Sequence, residues 1–228
     1  RESFGPLTAT MIPPFMVVVV EILELLLAAE EGVLSFAVSF SQTGSFIQDL
    51  ATAKSLRSCS ELFLKLLNYE NVSVKLVFHQ WMGAFPTDRP SADGLIALGA
   101  ITSVFAGADK VVVKTRSEAK GIPDIESNCD AVSMCRYTIN MCPVAKDISL
   151  EGLEDETESI TNSANYLLER ILQDSSDQLW EKVVNAVRKG WIDIPFSPHI
   201  ENKNKLWTLR DNKRAIRVVD PGNVPFQE

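Results

Sequence analysis

The chain has only two histidines, His79 and His199, and four cysteines, Cys59, Cys129, Cys135 and Cys142. No two cysteines are separated by a two-residue gap, the spacing at which neighbouring thiolates chelate one zinc ion, so no metal site is read. Cys129, Cys135 and Cys142 fall six and seven apart, near helical spacing, and read as small buried side chains. Cations are in deficit: 22 Lys and Arg against 30 Asp and Glu give a net charge of −8. Non-specific nucleic-acid binding needs clustered Lys and Arg to displace counterions, and that class is excluded. No long run of one charge occurs. The nearest, Glu151 to Glu158, carries five carboxylates and reads as a solvated helix start.

An unbroken apolar run of membrane length is also missing. Met11 to Ala29 comes nearest, but Pro13 and Pro14 open it, and Glu21 and Glu24, three apart, mark one helix face. A span takes about 20 apolar residues, and a central carboxylate costs a few kcal/mol there. The segment reads as a buried helix after a proline turn. No basic stretch leads into an apolar run ending in a small-residue cleavage site, so no signal peptide is read and a reduced, cytoplasmic setting is expected.

What is present suits a sizeable core: 228 residues, 46% hydrophobic and 23% charged, enough for one large domain or two small ones. Three β-branched or aromatic runs predict strands at Leu34 to Phe40, Val72 to Phe78 and Lys110 to Thr115, their starts nearly 40 residues apart. Helical patterns lie between them, with Gly32 and Gly107 placed as helix stops. Such alternation means consecutive β–α units and a parallel sheet, hence an α/β fold. Helices are predicted at Asp124 to Met141, Leu153 to Leu172 and Asp177 to Lys189, with Gly190 as a stop. The proline- and asparagine-rich tail from Asp193 predicts an irregular or small β element around Leu206 to Leu209 and Ala215 to Val219.

In parallel α/β folds the chemistry gathers where strands end, at their C-terminal edge. The stretches in question follow Phe40, Phe78 and Val113. In Phe78-His-Gln-Trp-Met-Gly-Ala-Phe-Pro86 the two aromatics after the strand, Trp81 and Phe85, stand with a Met and a Pro around one Gly, which can make a flat apolar wall for a large ring system. It also reads as a packed turn with His79 hydrogen-bonded to backbone. Lys114 and Glu118, four apart, read as a donor and acceptor for neighbouring hydroxyls, or as a surface ion pair worth some tenths of a kcal/mol. Residue chemistry leaves both pairs of readings open.

Several of these stretches resemble one family. Phe78 to Pro86, Ala106 to Thr115, Glu118-Ala-Lys-Gly-Ile-Pro123 and Trp191-Ile-Asp-Ile-Pro-Phe-Ser-Pro198 are similar to the large (epsilon) subunit of glutamate mutase, also called methylaspartate mutase. So are Phe4 to Ala9, Gln48-Asp-Leu-Ala51, Arg210-Asp211 and Gly222-Asn-Val-Pro-Phe226. The resemblance implies a partial TIM-type (β/α) barrel. Residues 1–142 would be the second half of the barrel and 143–228 a helical and irregular extension packed on it. It implies an adenosylcobalamin-dependent isomerase that interconverts L-glutamate and (2S,3S)-3-methylaspartate by radical chemistry. A small cobalamin-binding subunit would provide the histidine beneath cobalt, and the assembly would be an oligomer. Phe85, Lys114, Glu118 and Ile122 are the cofactor-binding positions it implies, Lys114 and Glu118 on the adenosyl ribose, with Met82 and Gly83 near the corrin. His79 matches a family histidine that is not the cobalt ligand.

The chain corresponds to about half of such a subunit. The arginines that clamp the substrate, the carboxylate facing its amino group and the tyrosines beside it belong to the other half of the barrel, and Arg1 and Arg57 do not match them. Isolated, the chain is therefore expected to be inactive, and L-glutamate to bind only in the complete enzyme. The alternative is a non-catalytic cobalamin-binding or interaction fragment. Ser39-Phe-Ser41 stands where the family has Gly-aromatic-Gly, so a β-carbon there is expected to narrow a site that needs close backbone approach.

Overall fold

Pro13 is extended and Pro14 takes the first turn of α1 (Pro14–Glu30), where a missing N–H costs nothing. The computed structural model describes residues 1–3, 11–142 and 150–226. In it, α1 is followed by β1 (Ser35–Ser41), α2 (Phe46–Leu66), β2 (Ser73–His79), α3 (Arg89–Phe105) and β3 (Lys110–Val112). A 3-10 turn (Arg116–Ala119), α4 (Ile125–Met141), α5 (Leu153–Leu172), α6 (Leu179–Lys189), β4 (Trp207–Arg210) and β5 (Ile216–Asp220) complete the order. The Phe4 to Ala9 stretch and the expected boundary at 142/143 fall on or beside residues outside those described.

α1 is apolar on nearly every side because most of it is covered, with Val20, Glu24 and Leu27 left partly exposed. β1 packs against it, and so do α2 and α5. Met16, Val18, Val19, Ile22, Leu25 and Leu26 are all fully buried, each such side chain stabilising by about 1.5–3 kcal/mol. The buried-helix reading of Met11 to Ala29 therefore holds, and no helix among the described residues is long and apolar enough to cross a membrane. Gly32, at φ +82°, ends the helix by a turn that a side chain would strain. Gly107, at φ +65°, does the same after α3.

The three strands are parallel in the order β1-β2-β3. Their register sets Phe40 beside Phe78, and Ser41, His79 and Val112 abreast. Phe36, Val38, Phe40, Leu76, Phe78 and Val111 belong to the core shared with α1, α2 and α5. By strand alternation, Ala37, Ser39, Ser41, Val77, His79, Lys110 and Val112 occupy the opposite face. Outside β1, Arg1–Ser3 adds a short parallel pairing through Ala37 N–H to Arg1 O (2.7 Å) and Ser3 N–H to Ala37 O (3.1 Å). Glu2 then pairs with Lys110 at 2.6 Å, tying that segment to β3.

β3 is shorter than the predicted run to Thr115. The Lys114 N–H turns to the side-chain oxygen of Gln80 at 2.9 Å, and Thr115 Oγ1 accepts from Ser117 N at 3.1 Å to start the 3-10 turn. The tail forms the expected small β element, β4 antiparallel to β5. Gln48 docks it on α2, donating to Ile216 O (3.1 Å) and accepting from Ile216 N (2.8 Å) as a neighbouring strand would.

Two sequence expectations are corrected. Cys135 is buried, but Cys129 is exposed and Cys142 half-buried, because six residues turn a helix by about 240° and cannot keep one face. The acidic run at the start of α5 is not all solvated: Glu156 is held by Gln48 at 2.7 Å and by Arg217 at 2.8 Å, its side chain only 11% exposed.

Candidate ligand-binding edge of the parallel sheet

The strand ladder continues one residue past the strands. Gln42 N–H donates to His79 O at 2.9 Å and Gln80 N–H to Val112 O at 3.1 Å. Both glutamine side chains are buried, so their amides must be paired inside the protein. Gln80 accepts from Lys114 N and donates to Ile96 O at 3.0 Å, fixing the chain after β3 against α3. Gln42 accepts from Trp81 N at 3.2 Å, fixing the chain after β2. Gly99 makes room for them: a β-carbon there would lie 2.9 Å from both Gln42 Oε1 and Gln80 Cγ. Sequence reasoning missed all three, and the one available signal was a glycine inside a helical pattern.

On this scaffold Lys114 and Glu118 come together at 3.4 Å, their side chains 23% and 31% exposed. Glu118 is in the 3-10 turn, whose start Thr115 caps. A partly solvated pair of this kind contributes about 0–1 kcal/mol, so both groups remain available to a ligand. Phe85 lies half-buried in the loop between β2 and α3, as do Met82 and Gly83. Ile122 follows the 3-10 turn and is 98% exposed. The structure brings Lys114 and Glu118 into contact and leaves Phe85 and Ile122 at loop positions of the same sheet edge.

Around them the loops are well held. Trp81 donates its indole N–H to Ala84 O at 3.0 Å, and the Arg210 guanidinium lies 5.6 Å over its ring. Beside it runs a groove of about 380 Å³ lined by Trp81, Pro86, Leu95 and Leu98. Asp49 accepts from Thr43 N at 2.8 Å and from Thr43 Oγ1, pinning the loop after β1. Burial pushes its carboxyl up to about 7, against the opposing Thr43 hydrogen bonds and Arg210.

His79 is buried, and its Nε2 has no hydrogen-bond partner among the described residues. The backbone-satisfied reading thus fails at that atom. Burial holds the imidazole below its ordinary pKa, Glu2 opposes, and Lys114 and Lys110 add to the depression. Ser39, expected to narrow a site, has its hydroxyl within 3.0 Å of Ser3 Oγ and 3.4 Å of Glu21 at the edge of β1. No group of His, Cys, Asp and Glu that could hold a metal occurs among the described residues.

The family model described as methylaspartate mutase E chain (MutE) matches residues 1–228. Among curated proteins, the glutamate mutase epsilon subunit of Treponema denticola is 39% identical over 226 residues, 99% of this chain and 47% of that protein. The one from Yersinia enterocolitica is also 39% identical over 226 residues, with the same coverage. That of Haloarcula marismortui is 34% identical over 220 residues, 96% of this chain and 44% of its own length. The chain spans about half the length of the curated relatives it matches.

Proposed function

The chain belongs to the methylaspartate mutase E chain family, and on that premise we propose that it is the cofactor-facing part of the large subunit of an adenosylcobalamin-dependent glutamate mutase. The reaction is the isomerisation of L-glutamate to (2S,3S)-3-methylaspartate. One observation carries the reading: Lys114 and Glu118 meet just past the C-terminal end of β3, 3.4 Å apart with their side chains 23% and 31% exposed.

The residues fit the adenosyl group. An ammonium can only donate and an ionised carboxylate can only accept, so two adjacent ribose hydroxyls satisfy both at once. Ile122, apolar and 98% exposed, and half-buried Phe85 suit the broad apolar margin of a corrin. When bound, the cofactor supplies the radical that starts the rearrangement. This chain's part is to bind and orient: Gln80 sets the backbone of Lys114, and Thr115 sets the turn that carries Glu118.

Substrate capture falls to groups outside the chain. A dicarboxylate calls for paired guanidinium groups, and three arginines here are engaged elsewhere. Arg57 donates to Gly107 O, Arg116 holds Asp93 and Asp130, and Arg217 holds Glu156 and Asp211. A partial barrel is supported by the three parallel strands and by the packing of α1 and α2 on them through the shared core. Among the described residues the outer edge of β3 has no partner strand, and such an edge calls for one. We assign that strand to the rest of the barrel, the cobalamin-binding partner to a small subunit, and the setting to the cytoplasm, in keeping with four free cysteines. The test replaces Lys114 by Met and Glu118 by Gln in the reconstituted enzyme. Each should weaken adenosylcobalamin binding by about 1–3 kcal/mol and leave glutamate affinity unchanged; the reverse pattern would refute the assignment.

A further inference from the structure

The Nε2 atom of His79 is a buried nitrogen with no partner among the described residues. Buried polar side chains are paired in the great majority of cases, so this exception asks what completes it. Its location is well defined. His79 ends β2 abreast of Ser41 and Val112, on the face opposite Phe78 by strand alternation. Lys110 and Val112 share that face, and Lys114 follows two residues beyond Val112, its backbone N–H held by the Gln80 side chain next to His79. The charges that act on the imidazole are those of Glu2, Lys114 and Lys110, so the ring lies within the field of this polar face.

Those charges are already balanced in pairs, Lys110 with Glu2 at 2.6 Å and Lys114 with Glu118 at 3.4 Å. An anionic group brought to His79 would meet two carboxylates as well as two ammoniums, and a cationic group the converse. An uncharged group meets no such conflict. A neutral imidazole offers one lone pair or one N–H at Nε2, and a hydroxyl can satisfy either.

We propose that His79 is a positioning residue whose Nε2 is completed by an uncharged hydroxyl of the ligand held by Lys114 and Glu118. This rests on the cofactor reading above and adds a third polar contact to it, from the end of the neighbouring strand. In ring ¹⁵N spectra of the full-length subunit with its small partner, the His79 signals are identified as those lost in a His79→Phe variant. Adenosylcobalamin is the probe, and its binding is followed separately by calorimetry. On saturation the Nε2 resonance of His79 should shift with no uptake of a proton. His79→Phe should weaken binding about five- to tenfold, and His79→Asn should recover part of the loss. The proposal is overturned if the cofactor saturates while Nε2 does not move, or if His79 gains a proton on binding, which would mean an anionic partner. It is also overturned if Nε2 is already hydrogen-bonded in the full-length subunit without ligand. In the full-length subunit with its small partner, absence of any binding would remove the cofactor reading together with this one, whereas binding with an unmoved Nε2 removes this one alone.

Discussion

Glu21 lies in the middle of the most apolar helix, fully buried, with its carboxyl at the outer edge of β1. Its Oε2 accepts from Ser39 N at 2.6 Å and from Ser3 Oγ. Its Oε1 is 3.4 Å from Ser39 Oγ, which is in turn 3.2 Å from Ser3 O. With a proton on Oε1 every partner is used: the carboxyl donates to Ser39 Oγ, and that hydroxyl donates to Ser3 O. Burial raises the pKa from 4.5 to about 8, the Ser3 and Ser39 hydrogen bonds oppose it, and nearby Glu24 adds to the rise. The unfolded chain ionises near the lower value and the native state stays neutral until the upper one. Stability is therefore full below the lower pKa, falls as pH rises between them, and is flat above. At about 1.4 kcal/mol per pH unit the ceiling on this loss at neutral pH is roughly 3 kcal/mol, and residual structure in the unfolded chain lowers it to about 1–3. Glu21→Gln keeps the shape and hydrogen-bond pattern of the neutral acid without the titration. Denaturant midpoints should be alike for the two proteins at about pH 4 and favour the Gln variant by about 1–3 kcal/mol at about pH 8. Asp49, also raised, titrates in both and cancels. A Gln variant less stable than the parent at about pH 8 would show that the ionised carboxylate is needed and refute the reasoning.

Three further outcomes follow from packing and from missing groups. Gly99→Ala should cost on the order of 1 kcal/mol in denaturant unfolding, because the clash with buried Gln42 and Gln80 outweighs the better helix propensity of Ala. Gln48→Ala leaves the N–H and C=O of Ile216 without their partner, a loss of about 1–3 kcal/mol. It should show first as faster amide exchange in β5. The 228 residues alone, given the small subunit and adenosylcobalamin, should not convert glutamate if substrate capture falls, as proposed, to groups outside them, because positioning contributes several kcal/mol to such a step; measurable methylaspartate formation would contradict this.

The β–α alternation was legible because its signals are local. β-Branched runs mark the strands, and Gly32, Gly107 and Gly190 take the positive φ that stops helices. That Lys114 and Glu118 meet was legible from their spacing. What supports them was not: Gln80 joins Lys114 N to Ile96 O, a link between separate elements that no local pattern encodes. For the same reason Glu21 and Glu24 read as one polar helix face, yet the strand edge beside Glu21 buries it completely while Glu24 remains half-buried. Glu156 looked solvated until the hairpin brought Arg217 to it. Periodicity tells which side of an element is apolar, and only the assembled fold tells what a polar group meets.

The central claim is that this sheet edge holds the adenosyl group of a cobalamin through Lys114 and Glu118. Its most direct test is adenosylcobalamin affinity in the full-length subunit with its small partner, compared between the parent and a Lys114→Met, Glu118→Gln double variant. The account predicts that affinity falls at least tenfold in the double variant, with its melting temperature and glutamate affinity close to the parent's. Unchanged cofactor affinity in a folded double variant would contradict it and leave the pair as a surface salt bridge.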